Sequence, residues 1–430
     1  MTRRSVVLLS VLAVAAVVLM YGRTLGYGLF WDDFDVLRPW TRADIVRAWT
    51  GPYRPWDDTI AFYRPLTAMY YALISNTLGF DVRALHIIPL AAIAVLAVMT
   101  LVFVVRETGS MVMAGMAAVL VSTYPTLGTS LGPWIANQDH TFMTICFVAA
   151  LLVWQRGRDG SSRWWWRAAP WLVATAWFKE DGLLLPLAIG LAQWARALIA
   201  GDVPRPPRKA WAVLAGLSLA LIAWRAAWLP SQFGYGVRSP GHMLASLLRA
   251  PRYVLLWQVG PAAVALPAAA AKAVVLVAGA WVLLRKRGSA GARLAVIGIA
   301  VMLIANLPLT FVSSEGRWHL VGWGAVLASS GALGEWIARA PRWGWPAAAA
   351  VMIALAASAA ERISTFAPCS ADSRLHYTEM AEHDDLPPEL RTWLSTRDVA
   401  CATGTFENFD RPMRSLVWAA APTPPASAPR

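Results

Sequence analysis

The chain has 430 residues, of which 57% are hydrophobic and only 15% charged, with a mean hydropathy of +0.49. A soluble domain carries about 25% charged residues, so this composition excludes a soluble enzyme or binding module and indicates a polytopic membrane protein. The net charge of +13 would suit a nucleic-acid binder, but the Arg and Lys residues cluster in short loops and no basic recognition helix is present, so nucleic acid is excluded as a partner.

In chain order, the first apolar run covers about 5–22 and follows Arg3 and Arg4. No small-residue cleavage site stands before the aromatic stretch Tyr21 to Phe30, so a retained helix is expected rather than a signal peptide. A long polar segment, about 23–84, comes next. It opens with Phe30-Trp31-Asp32-Asp33-Phe34-Asp35, holds a second pair, Asp57-Asp58, and continues into Tyr63-Arg64-Pro65. Its later part, Leu66 to Leu78, has an apolar face at helical spacing but too little length to span, and is expected to lie in the interface.

Spans need about 20 apolar residues each. Further spans are expected at about 86–105, 111–131, 137–155, 165–178, 182–200, 210–229, 261–284, 293–311, 320–338 and 345–361. With the first, that makes about 11 transmembrane helices, an all-α membrane domain over residues 1–361. The tail, 362–430, is polar with a Pro/Ala-rich end that reads as disordered. It contains Cys369 and Cys401, which can pair as a disulfide if the tail faces an oxidising compartment, whereas Cys146 sits in an apolar run and reads as a buried small hydrophobe.

Placing the N-terminus in the cytoplasm puts 17 basic residues against three acidic ones (Glu107, Asp159, Asp202) in the inside loops, as the positive-inside rule requires. The expected location is a bacterial-type inner membrane, with the C-terminus outside. The same threading sends Asp32 and Asp33, Asp139-His140, Lys179-Glu180-Asp181 and Glu315-Arg317-His319 to one outer face.

Each of these groups has a chemical and a plainer reading. Charges beside hydrocarbon are costly and tend to be functional. A carboxylate there can take a proton from an acceptor hydroxyl. Neighbours on an extended chain point to opposite sides, so Asp32 and Asp33 are expected to divide the labour; Asp35 and Asp57-Asp58 read as solvated. Arg64 can fork onto a phosphate or a carboxylate, or simply snorkel. Lys179 suits a phosphate as a point charge, and Glu180 could hold it in place or face a metal; the alternative is a polar cap between two helices. Asp139 and His140 could help to hold a divalent cation, which is the one cofactor these residues would accommodate. Arg317 could contact phosphate, and His319 reads equally as a structural hydrogen-bonder. No Gly-rich phosphate loop or zinc-protease motif is present. No inside loop exceeds about 15 residues, so a sugar donor would have to arrive on a lipid carrier.

In order and spacing, Trp31-Asp32-Asp33, Tyr63-Arg64-Pro65-Leu66-Thr67, His86, Lys179-Glu180 and Glu315-Gly316-Arg317-Trp318-His319 resemble the GT-C class of integral membrane glycosyltransferases. The resemblance covers about residues 5–340 and is nearest to the branch of the protein O-mannosyltransferases and the lipid A aminoarabinose transferase. It implies a polyprenyl-phosphate sugar as donor and transfer to an acceptor hydroxyl or amine on the outer face, with inversion. It further implies Asp32 as general base, Asp33 as its partner, Lys179 and Arg317 at the donor phosphate, and Asp139 in a loop where some relatives place a second acid near a metal. The pair here is Asp-Asp where several relatives have Asp-Glu, and Asn137-Gln138-Asp139-His140 stands where an Arg-containing segment is expected. Two other classes compete: a transporter or flippase of a lipid-linked sugar, which would want charges near the midplane, and a non-catalytic scaffold acting through its tail.

Overall fold

The computed structural model describes residues 3–26, 36–37, 39–55, 62–79, 81–123, 135–157, 164–199, 201, 205–228, 262–285, 288–309 and 319–365. Among these there are thirteen α-helices and no strands. They are α1 (Arg3–Tyr21), α2 (Arg42–Trp49), α3 (Pro65–Leu78), α4 (Val82–Thr108), α5 (Met111–Thr123), α6 (Gln138–Gly157), α7 (Trp164–Phe178), α8 (Leu185–Ile199), α9 (Arg208–Trp228), α10 (Ala262–Arg285), α11 (Ala290–Leu309), α12 (His319–Arg339) and α13 (Pro341–Thr365).

Every expected span coincides with a helix, but the count of eleven crossings is not established. Among the described residues, six segments are long and apolar enough to cross a membrane: Arg4–Leu25, Arg83–Thr108, Glu180–Ile199, Arg208–Trp228, Ala290–Leu307 and Pro341–Glu361. The chain is therefore a multi-pass membrane protein. Others fall short for physical reasons. α5 has 13 described residues and α7 has 15. α6 has the length but begins Gln-Asp-His-Thr, and those four side chains are buried in protein.

The stretch between α1 and α4 carries two short helices. α2 starts on a capping box: the Asp44 N–H donates to Thr41 Oγ1 (3.1 Å), and the Thr41 N–H donates to Asp44 Oδ2 (2.9 Å). α3 begins at Pro65, which has no N–H to satisfy in a first turn. Asn76 on α3 exchanges hydrogen bonds with the Trp40 backbone, 2.9 Å each way. Ser75 donates to the Val36 carbonyl (3.2 Å), so the chain is tied to α3 directly after the acidic stretch.

The core is aliphatic, with Trp154, Trp323, Phe103 and Phe147 fully buried. Trp323 meets Phe103 and Phe147 at centroid distances of 6.0 and 6.1 Å and donates from Nε1 to Thr100 (3.0 Å). α11 and α12 approach backbone to backbone. A Cβ on Gly298 would lie 2.4 Å from the Gly324 carbonyl oxygen, and one on Gly291 would lie 2.4 Å from that of Gly331. Small residues allow such close packing where water cannot drive association.

One correction concerns the charges counted as inside-loop residues. Glu107 and Arg196 are buried, not solvated. The Arg196 guanidinium donates to Glu107 Oε1, and the Gln155 amide donates to Glu107 Oε2 (2.9 Å) and to the Phe103 carbonyl (3.0 Å). The ends of α4, α6 and α8 are thus joined at the end of the bundle opposite to the N-terminus of α6.

Candidate active site

At that N-terminus, four side chains from three separate stretches of the chain meet. Arg64 stands just before Pro65, so its backbone starts α3 while its side chain is left to point elsewhere. Its Nε donates to Glu180 Oε2 (2.7 Å), its Nη2 to Glu180 Oε1 (2.5 Å) and its Nη1 to Asp139 Oδ2 (3.0 Å). Lys179 Nζ donates to the same Asp139 oxygen (3.0 Å). Asp139 Oδ1 accepts the His140 backbone N–H (2.8 Å). The Arg64 guanidinium also lies over the rings of Phe62 and Tyr53, at 4.3 and 5.3 Å from their centroids.

Local backbone explains the placement. Lys179 is extended, between the end of α7 and the 3-10 turn Glu180–Leu184. A Cβ on Gly182 would stand 2.3 Å from the Thr175 carbonyl carbon, so only glycine lets this turn fold back on α7. Thr67 Oγ1 donates to the Phe178 carbonyl (2.6 Å), which fastens the first turn of α3 to the end of α7. The apolar run is interrupted at Lys179-Glu180-Asp181 because the first two side chains are needed by partners on α3 and α6.

Asp139 and Lys179 are almost wholly buried, with 1% and 3% of their side chains exposed; Glu180 is exposed to 14%. Burial disfavours the charge on Arg64, but the adjoining Glu180 and Asp139 carboxylates outweigh it, and its pKa is pushed above the ordinary arginine value. Tyr71 on α3 is pushed well up by burial, with the Asp139 charge adding to the effect.

Asp139 and Glu180, expected as candidate metal ligands, are instead arranged as partners of protein cations. Every carboxylate oxygen of the pair already accepts a hydrogen bond, and a divalent ion there would face Arg64 and Lys179 at close range. As arranged, the two residues do not fit a divalent ion. Among the described residues, no three His, Cys, Asp or Glu side chains converge. His140 is buried beside Asp139, and its carbonyl accepts from Thr144 (2.9 Å). His319 begins α12. Asp32, Asp33, Arg317, Cys369 and Cys401 lie outside the described residues.

An apolar groove of about 540 Å³ runs beside the charged group. Its walls include Ile45, Leu66, Tyr70, Phe142 and Phe178. Phe142 and Phe178 stack at 5.5 Å, and Tyr70 meets Phe142 edge-on at 4.8 Å. Phe178 directly precedes Lys179, and Phe142 lies one turn beyond Asp139.

Several residues at this end are not prominent in the sequence. Arg54 is buried, with its guanidinium 5.2 Å from the Tyr53 centroid. Tyr63 donates to the Trp49 carbonyl (3.0 Å) and accepts from Trp224 Nε1 (2.9 Å), which ties α9 to the segment carrying Arg64. Arg225, the next residue of α9, is buried and within electrostatic reach of Glu180 and Arg64. The available signal was an arginine near the end of an apolar run.

No protein-family model and no curated protein matches the sequence. Solved structures do. The oligosaccharyltransferase of Archaeoglobus fulgidus, tethered to an acceptor peptide, aligns with a TM-score of 0.55 and 12% identity over 98% of this chain. The same enzyme, AglB, in complex with an inhibitory peptide and a dolichol-phosphate, gives 0.57 and 14% over 96%, and its apo form gives 0.53 and 13% over 97%. The chain spans 63–64% of the length of these structures. At this identity the likeness carries the fold alone: the chain shares the membrane-helix architecture of these structures, and the GT-C class and its O-mannosyltransferase or aminoarabinose transferase branch have only the sequence resemblance behind them.

Proposed function

We propose that the protein is a membrane glycosyltransferase that moves a sugar from a polyprenyl-phosphate carrier to an acceptor hydroxyl or amine of the cell envelope, on the extracytoplasmic face. The observation that carries this reading is the juxtaposition, at one end of a GT-C-like bundle, of the buried Arg64–Asp139–Lys179–Glu180 group with an apolar groove. A lipid-linked sugar has that same division: a long apolar chain joined to an anionic phosphate. The solved neighbour with dolichol-phosphate bound is an enzyme that holds a carrier of this chemistry.

In the proposed reaction Asp32 takes the acceptor proton, with Asp33 orienting the acceptor. The acceptor oxygen or nitrogen bonds to the anomeric carbon as the bond from that carbon to the phosphate oxygen breaks. The electron pair leaves with the polyprenyl phosphate, and the anomeric configuration inverts. Lys179 and Arg64, held in place by their carboxylates, and Arg317 from the segment before α12 offset the charge that grows on the leaving phosphate. Asp139 and Glu180 position the cations, and His140 and His319 support the site.

The test is Asp32→Asn in membranes supplied with a labelled polyprenyl-phosphate sugar, read by mass spectrometry of envelope glycans and glycoproteins. A general base contributes about 10²–10⁴-fold, and a loss in that range is expected with expression unchanged. Full transfer by Asp32→Asn would remove the base assignment. Movement of labelled lipid across the bilayer without any covalent product would replace the enzyme by a transporter.

A further inference from the structure

A second apolar groove, of about 400 Å³, lies in the wall of the bundle. α5 supplies its middle, and packs against α1 on one side and α13 on the other. Leu9, Gly115, Val119, Trp345 and Met352 are among the residues that line it. All three helices begin at the Glu107–Arg196 end. α5 follows α4 directly after Glu107. A Cβ on Gly334 would lie 2.3 Å from Met113 in the first turn of α5, so α12 ends, and α13 starts, beside that turn. Arg23, just past the end of α1, donates to the Ala360 carbonyl near the end of α13, so α1 and α13 run parallel. From Met111 to Val119 the groove extends about 12 Å at 1.5 Å per residue, close to the depth of one leaflet, about 15 Å. Two exposed arginines stand at its mouth: Arg4 in the first turn of α1, and Arg342 in the first turn of α13, three residues before Trp345 and on the same side of that helix. Glu107 and Glu335, the carboxylates buried at this end, are committed to Arg196 and Arg339. Among the described residues, neither Arg4 nor Arg342 forms an ion pair.

We propose that this groove is a binding site for one anionic phospholipid of the leaflet at the Glu107–Arg196 end. One acyl chain lies along α5, the glycerol backbone stands at Trp345, and the phosphate meets the Arg4 and Arg342 guanidinium groups. Size separates this occupant from a partner helix. A volume of about 400 Å³ spread over about 12 Å leaves a cross-section of about 30 Å², less than half that of a helix about 10 Å across. Trp345 is 51% exposed and Trp343 74%, as tryptophans at headgroup level are. Charge separates an anionic lipid from a zwitterionic one. Each basic residue near the surface favours the anionic lipid about fivefold, and arginines not held by protein carboxylates can turn their long side chains to the headgroup. Nothing in the site depends on the reaction proposed for the Arg64 end.

Full-length protein is reconstituted in nanodiscs of dioleoylphosphatidylcholine doped with dioleoylphosphatidylglycerol, and the lipids it retains on release are counted by native mass spectrometry. Wild-type protein is expected to keep one phosphatidylglycerol at least tenfold in preference to phosphatidylcholine. Arg4→Gln with Arg342→Gln changes exposed side chains only, and is expected to bring the two lipids to within about twofold of each other. A Cβ on Gly115 meets only the Leu9 side chain, at 3.6 Å, so Gly115→Leu grows into the groove and is expected to lose the retained lipid; Val112→Phe on the same wall serves if that protein does not fold. Arg106→Gln with Arg156→Gln removes two exposed charges from the same end of the bundle and is expected to keep the wild-type preference. Equal retention of both lipids by wild-type protein overturns the site, as does an unchanged preference in the Arg4 and Arg342 variant. An equal loss in the Arg106 and Arg156 variant also overturns it, since the preference would then come from general surface charge. Phosphatidylglycerol kept by a folded groove-filling variant overturns the placement of the chain. A dimer that Gly115→Leu converts to monomer replaces the lipid by a second copy of the chain.

Discussion

Arg64 offers the sharpest test of how the site is held. Replacing it with Ala removes two guanidinium bonds to Glu180 (2.5 and 2.7 Å) and one to Asp139 (3.0 Å). Asp139 keeps Lys179, whereas Glu180 loses both hydrogen bonds from Arg64. Removing one member of a buried ion pair costs about 3–5 kcal/mol, because the other charge is left desolvated. The Glu180 side chain is 14% exposed, so water recovers part of its solvation and the expected loss is about 3 kcal/mol. Arg64→Lys keeps the charge without the fork and should lose about 1–2 kcal/mol. Combining Arg64→Met with Glu180→Gln removes both charges, and should lose less than the two single changes together by about 1–3 kcal/mol. Reversible unfolding in mixed micelles, monitored by tryptophan fluorescence, measures each value. If Arg64→Ala is within about 0.5 kcal/mol of wild type, or the double change is strictly additive, the ion pairs do not hold the site together.

Two further substitutions separate the ends of the bundle. Gly182→Ala would drive a methyl to 2.3 Å from the Thr175 carbonyl carbon; it should cost about 1–3 kcal/mol or more and displace Lys179 from Asp139, seen as a fall in donor affinity alongside the fall in stability. Glu107→Gln breaks the buried pair with Arg196 at the opposite end; it should destabilise by about 3 kcal/mol while leaving the affinity for polyprenyl monophosphate within twofold of wild type.

Much of the helical framework was legible because apolar runs of membrane length are hard to mistake, and each expected span meets a helix. The number that cross is less legible. α6 carries buried Gln138, Asp139 and His140, so a helix enclosed by protein need not satisfy the composition of one facing lipid. Lys179-Glu180 could be singled out because it breaks an apolar run. Arg64 and Asp139 also stood out singly, but the pairing could not be read, since Arg64 and Glu180 are 116 residues apart and Lys179 and Asp139 are 40 apart. No local pattern encodes such pairings; they follow from how α3, α6 and α7 pack. The same limit explains Glu107 and Arg196. Each looks like a loop charge when read alone, and they become a buried pair only when α4 and α8 are brought side by side.

The glycine contact between α11 and α12 fixes a distance. Where two backbones touch with no side chains between them, their separation is set by main-chain atoms and has little room to adjust. The ends of α11 and α12 that flank residues 310–318 are therefore held at one spacing. The contact itself has no latitude: a single methyl at Gly298 or Gly324 would push the two helices apart.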